Sequence, residues 1–256
     1  MSRPSVTQTL IHAAVTTAIF GAAPAVVLAQ KPLTAPKYSE VRLAAVATGE
    51  ELGAQPDLWV MDVYFKPMRQ IAIELTDPKT GEKRSKYVWY IVYRAVNRPL
   101  PKIVQDNPPV NELDPPVLPP KFVPAFTLMT TDTPEPKLYD DKVLPEALAV
   151  IARRERLPLR NSVSAVGTVP PATDPGSPDQ QVIYGVATFT DVDPEADRYT
   201  VFMTGFSNGV RKAPGPDGST GVQNKTIVTK YWRPGDQFDQ REPEIRLDGD
   251  PQWIYR

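Results

Sequence analysis

The residues most able to do chemistry in this chain are acids. In DVDPEAD, residues 191–197, Asp191, Asp193, Glu195 and Asp197 stand at every second position, a density of oxygen ligands that suits calcium. An EF-hand loop begun at Asp191 would need glycine at its sixth position and glutamate at its twelfth. Ala196 and Phe202 stand there, which excludes that loop. Calcium held by clustered loop acids of an extracellular sandwich is one expectation, with LDGD (Leu247 to Asp250) able to join from a second loop. The competing expectation makes the stretch a corner where one strand hands over to another.

GFSNG (205–209) matches the nucleophile-elbow pattern G-x-S-x-G, which requires a strand before it, a helix after it and a histidine base. The residues that follow, VRKAPGPDGSTG, hold too much proline and glycine for a helix. The one histidine of the chain is His12. The pattern therefore reads as a turn, with Asn208-Gly209 supplying positive φ. There is no cysteine. If the N-terminal segment carrying His12 is cleaved, Cys–His catalysis, Ser–His–Asp catalysis and His-ligated zinc are excluded from the mature chain. Asp-Thr-Gly, the aspartic-protease signature, is absent as well. A carboxylate-pair glycoside hydrolase is the third reading, because 30 acids always include pairs at a workable separation, although no pair stands out.

Arg153, Arg154, Arg156 and Arg160 would suit an anion-binding patch for envelope polysaccharide or lipid headgroups. The simpler reading is cations at a helix C-terminus, worth a few tenths to about 1 kcal/mol. Trp59, Trp89, Trp232 and Trp253 offer surface on which a sugar could stack. Core packing is the simpler role, above all for Trp89.

The N-terminus reads as an export signal. Arg3 precedes an apolar stretch from Leu10 to Ala29, closed by Val27-Leu28-Ala29 with Pro24 just before, a pattern that fits cleavage between Ala29 and Gln30. An uncleaved membrane anchor is the alternative. The expected address is the periplasm, the outer surface or the medium. Without cysteine, stability there rests on the core and not on disulfides. The formal net charge of -1 gives no reason to expect nucleic acid as a partner.

These side chains must be positioned by strands. Thirty prolines in 256 residues, against a usual share of ~5%, restrict helices and favour edges and turns. Residues 30–56 read as a flexible leader with at most one short strand or helical turn around EVRLAAVA. LWVMDVYF (58–65), RQIAIEL (69–75) and YVWYIVYRAVN (87–97) have strand lengths and apolar runs or alternation, and the last reads as a central strand. Residues 98–124, broken by proline pairs, read as an extended strap crossing between sheets. AFTLMTTD (125–132), SVSAVGTV (162–169), QVIYGVATFT (181–190), RYTVFMTGFS (198–207) and NKTIVTKYWR (224–233) add strands. LPEALAVIARRER (144–156) is the one expected helix, with Pro145 in its first turn, and the apolar ending Trp253-Ile254-Tyr255 is expected to dock.

The segment from Val182 to Gly209 resembles the E–F corner of immunoglobulin-like and fibronectin-type sandwiches. A short polar turn carrying Pro194 leads there into Tyr199, with Val201 and Met203 at strand spacing. That resemblance implies that the Tyr199 hydroxyl bonds back to the corner and that Trp89 is the core tryptophan. Asp193 would accept from the amides of a helical turn begun by Pro194. The runs LWVMDVYFKPMRQIAIEL and YVWYIVYRAVN, with YGVATFTDVDPEADRYTV and YWRPGD, are similar to exported β-rich proteins of unknown function from planctomycete-like bacteria.

The expected fold is all-β and mainly antiparallel: an immunoglobulin-like β-sandwich over residues 57–256, with one short helix and a proline-rich crossover. The expected function is non-enzymatic, a module of the periplasm or cell envelope that binds an unidentified protein or glycan or takes part in structural assembly. A calcium-assisted adhesion or carbohydrate-binding module is the alternative.

Overall fold

A computed structural model describes residues 40–77, 79–101, 119–214, 219–234 and 244–256. In chain order the elements are β1 (Val41–Leu43), α1 (Gly49–Ala54), β2 (Met61–Phe65), β3 (Met68–Thr76), β4 (Lys83–Asn97), β5 (Lys121–Phe122), β6 (Ala125–Thr130) and β7 (Leu138–Asp140). They continue with α2 (Pro145–Glu155), β8 (Gly167–Thr168), β9 (Ile183–Thr190), β10 (Arg198–Thr204), β11 (Val210–Pro214), β12 (Thr220–Trp232), β13 (Glu244–Leu247) and β14 (Gln252–Tyr255).

β4 shows why an unbroken apolar run becomes a central strand: both of its faces are covered, so alternation with polar residues is not required. Trp89, Ile91, Tyr93 and Ala95 enter the main core, while Val88, Tyr90 and Val92 enter a second core beneath α2. β2 and β3 run in succession along one edge of β4, from Met61↔Asn97 to Phe65↔Tyr93 and then from Arg69↔Tyr90 to Thr76↔Lys83. Between these stretches, Lys66, Pro67 and Met68 face only Ile91 and Val92, so the two strands are one strand with a bulge. Proline is tolerated at a bulge, where no ladder donor is lost. β9 pairs along the other edge of β4.

The second half of the sheet is built on β12. β10 and β11 line one of its edges, and β14 and β13 the other. β6 and β7 extend the sheet beyond β10. β13 joins the halves, with Ile245 opposite Met68 of β3 and Leu247 opposite Tyr231 of β12. The sheet thus folds over on itself as a mainly antiparallel β-sandwich. Inward residues of β2, β4 and β9 meet Phe126, Leu128, Val201, Met203, Ile227 and Tyr231 from the other half. β5 and β8 form a separate two-stranded sheet.

α2 lays Ala147 and Ile151 on the outer face of the first half, over Ile73, Leu75, Tyr90 and Val186. It starts with Pro145 in its first turn and stops at Arg156, whose φ of 55° is left-handed. In its last turn Glu155, 1% exposed, accepts from Lys66 Nζ and Arg69 Nη1, both at 2.9 Å. The outer edge of β9 is occupied without a further strand. Arg160 N donates to Tyr184 O, Val186 N to Arg160 O, Lys142 N to Thr188 O, and Thr188 N to Asp141 Oδ1 at 2.6 Å.

Several expectations need correction. Residues 40–56 are not a loose leader: β1 pairs with β2, and α1 is a second helix. Thr48 and Glu51 form a reciprocal capping box at its start, a signal that Gly49 and Gly53 mask in the sequence. The strand expected over 162–169 shrinks to Gly167–Thr168, because Asn161 and Ser164 exchange side-chain bonds with backbone amides in a turn. Positive φ in the GFSNG segment falls on Gly205 (φ 85°), not on Asn208 or Gly209. A Cβ on Gly205 would overlap the Val123 carbonyl. The signal segment 1–29 and residues 102–118 of the proline-rich strap lie outside the described residues. Among the described residues, no helix is long and apolar enough to cross a membrane.

Candidate functional site

The acidic stretch joins β9 to β10, and so joins the two halves of the sandwich. Its carboxylates face different partners. Asp191, at φ 59°, accepts from Lys86 Nζ at 2.9 Å, Lys142 Nζ at 3.3 Å and Thr190 Oγ1 at 2.9 Å. These bonds, Lys86 foremost, hold its carboxyl down at about 2. Asp193 Oδ1 accepts from Glu195 N at 3.1 Å, and its Oδ2 pairs with Lys137 Nζ at 3.1 Å. The amide bond and the lysine both lower its pKa. This is an Asx turn with no helix behind it, in place of the expected N-cap. Asp197 Oδ1 takes Arg233 Nε and Nη2 at 3.1 and 3.0 Å, while Glu195 is exposed.

The Tyr199 hydroxyl donates to Ala196 O, and Arg233 Nη2 donates to the same carbonyl at 2.9 Å. Among the described residues, no three Asp, Glu, His or Cys side chains gather as a group able to hold a metal. Asp248, from the second acidic loop, pairs with Arg198 at 3.0 Å. The geometry is that of a neutralised corner.

The other candidates sort in the same way. Ser207 Oγ donates to Trp59 O at 2.9 Å and accepts from Gly209 N, tying the segment to residues ahead of β2. Trp89 is 3% exposed and Trp59 is buried. Trp253 is half-buried against the main core and donates from Nε1 to Ala44 O. The tryptophans are spread through the fold and make no common platform.

The structure assembles a different surface, on the outer face of the first half beyond the reach of α2. The strand registers align Arg42 of β1 with Tyr64 of β2, Tyr64 with Arg94 of β4, and Arg94 with Tyr184 of β9. Arginine and tyrosine thus alternate across four strands. The Arg94 guanidinium lies 3.6 Å from the centre of the Tyr64 ring, and that of Arg42 5.9 Å from it, distances at which a cation is attracted to a ring face. Arg94 Nε also bonds Glu40 at 2.8 Å.

At the Arg42 end of this row, Asp62 holds Arg42 and, outside the row, Arg98. It is 1% exposed and accepts from Arg42 Nη2 at 2.8 Å, Arg98 Nε at 3.1 Å and Ala45 N at 2.7 Å. Arg42 remains about half exposed, with a side-chain value of 51%.

Tyr184 ends the row and also lines a cleft of about 270 Å³ with Arg160, Gln181, Thr168, Pro158 and Pro170. Arg160 is exposed, and its backbone is bonded to β9 through Tyr184 O and Val186 N. It leads back along the chain to Arg153, Arg154 and Arg156 at the end of α2, all exposed. None of these four guanidinium groups has a hydrogen bond or ion pair among the described residues.

The row was not singled out from the sequence, yet a signal for it exists. Arg94 is the one charged residue between Tyr87 and Asn97, and such a side chain in a central strand must find an open face.

No family model, characterised protein or solved structure matches the chain.

Proposed function

We propose that this protein is a non-enzymatic module of the periplasm or cell envelope that binds a polyanionic glycan across the outer face of β1, β2, β4 and β9. The observation that carries the reading is a concentration of exposed positive charge. Arg153, Arg154, Arg156 and Arg160 are exposed, and their guanidinium groups form no hydrogen bond or ion pair among the described residues, in a chain of net charge -1. Arg160 is bonded through its backbone to Tyr184 at the end of the Arg42–Tyr64–Arg94–Tyr184 row. Planar guanidinium groups suit carboxylate and sulfate oxygens, and tyrosine faces suit the apolar faces of sugar rings. The corner acids, each spent on a lysine or arginine or turned to solvent, support neither calcium nor a catalytic carboxylate pair. The apolar N-terminal segment supports export.

The test is electrophoresis of the purified chain through gels containing polygalacturonate or neutral dextran. Retardation is expected in the first gel only. It should weaken with salt, as surface charge pairs do, and fall sharply for Arg153→Ser/Arg154→Ser/Arg156→Ser. Equal mobility in the two gels would remove the reading.

A further inference from the structure

We infer that the cleft beside Tyr184 takes one carboxylated sugar unit of that polymer, with Arg160 as the carboxylate-binding residue. The inference rests on the glycan reading above and narrows it to a ligand class and a subsite.

Four observations lead there. The cleft, at about 270 Å³, lies near the lower end of the ~300–1,000 Å³ usual for small-molecule pockets, a size for a saccharide unit and not for a folded partner. Arg160 is the one charged side chain among its lining residues. A carboxylate meets the planar guanidinium through two parallel N–H···O bonds.

The rest of the lining is split in character. Tyr184, Pro158 and Pro170 offer apolar faces, and Gln181 and Thr168 offer polar groups. That mixture matches a pyranose ring, which has one apolar face and a rim of hydroxyls. Thr168 Oγ1 already accepts from Lys121 Nζ at 3.3 Å, which leaves its own proton free to donate.

Finally, the backbone of Arg160 is held to the sheet edge at both of its groups, by its N to Tyr184 O at 3.0 Å and by its O from Val186 N at 2.9 Å. The exposed side chain thus starts from a fixed point on the edge of the strand that carries Tyr184.

The experiment measures release of the full chain from immobilised polygalacturonate at low salt by galacturonate, galactose and galactose 6-phosphate. The wild type, Arg160→Ala, Arg160→Lys and the Arg153/Arg154/Arg156 triple serine variant are compared. Galacturonate is expected to release the wild type at about a tenfold lower concentration than either other sugar, the scale of one charge-assisted contact. Arg160→Ala should abolish that preference. Arg160→Lys, which keeps the charge and loses the fork, should reduce it, and the triple variant should keep it while binding the matrix less.

Release by galactose 6-phosphate at the same concentration as galacturonate would mean that the cleft reads charge alone, and would overturn the inference while leaving polyanion binding intact. A preference that survives in Arg160→Ala would also overturn it. A wild type that never binds the matrix would remove the inference together with the reading on which it rests.

Discussion

Glu155 concentrates the electrostatics of the fold into one carboxylate. It serves two cations that are themselves nearly sealed from solvent, Lys66 and Arg69, and the Tyr90 hydroxyl donates to it at 3.3 Å. Burial, and then the charge of Glu155, push the Tyr90 pKa up to about 12. Glu155→Ala is expected to destabilise the protein by roughly 3–5 kcal/mol, the usual penalty for stripping one partner from a buried charge cluster. Urea unfolding followed by tryptophan fluorescence would measure it. Tyr199→Phe should be far milder, about 1 kcal/mol, because Ala196 O keeps its bond from Arg233. For the acidic corner the expectation is insensitivity. Asn at position 193 can still accept from Glu195 N, and an exposed pair such as Asp193–Lys137 contributes only ~0–1 kcal/mol. Asp193→Asn should therefore melt close to the wild type, and neither calcium nor chelator should move either melt.

At the scale of elements, glycines reveal which contacts have no slack. Gly185 of β9 lies directly under the Tyr93 ring of β4, where any Cβ would overlap it. Gly185→Ala should cost roughly 1–3 kcal/mol by overpacking, and pairing it with Tyr93→Leu should recover part of that loss in the same unfolding assay. The strands themselves were legible because apolar runs of strand length between proline- and glycine-rich turns leave few alternatives; β4, β9 and β10 lie where those runs lie. α2 was legible from Pro145 and its apolar spacing. What could not be read was register. Only pairing brings Arg42, Tyr64, Arg94 and Tyr184 into one row, and these residues are spread over more than 140 positions of sequence. α1 escaped because two glycines weaken its propensity, and its stability comes instead from contacts made far away in the chain. Glu51 pairs with Lys225 Nζ at 2.6 Å and accepts from the Tyr255 hydroxyl.

For the whole molecule these ties predict a response to acid. Partial burial works against ionisation of Glu51, but the bonds from Lys225, Tyr255 and Thr48 outweigh it and hold its carboxyl at about 2, against an ordinary 4.5. Asp191 is held at about 2 by Lys86, Thr190 and Lys142, against an ordinary 3.8. Both folded values lie below the unfolded ones, so the unfolded chain binds more protons in this range. Their stabilisation is complete above about pH 4.5 and drains away as the pH falls toward 2. Melting temperature should be flat from pH 7 to 5 and fall steeply below pH 4. Glu51→Gln should start lower at pH 7 and fall less steeply.

The seam strand β13 has one more consequence, for the order of events in time. Everything it and β14 touch is made earlier: β3 and β12 are both waiting when Ile245 and Leu247 arrive, as are Ala44 and Glu51 when Trp253 and Tyr255 reach them. A ribosome that has finished β12 has produced a sandwich with one side open. β13 and β14 act as its zip: the seam between the two halves closes only once the strands that follow β12 have been made.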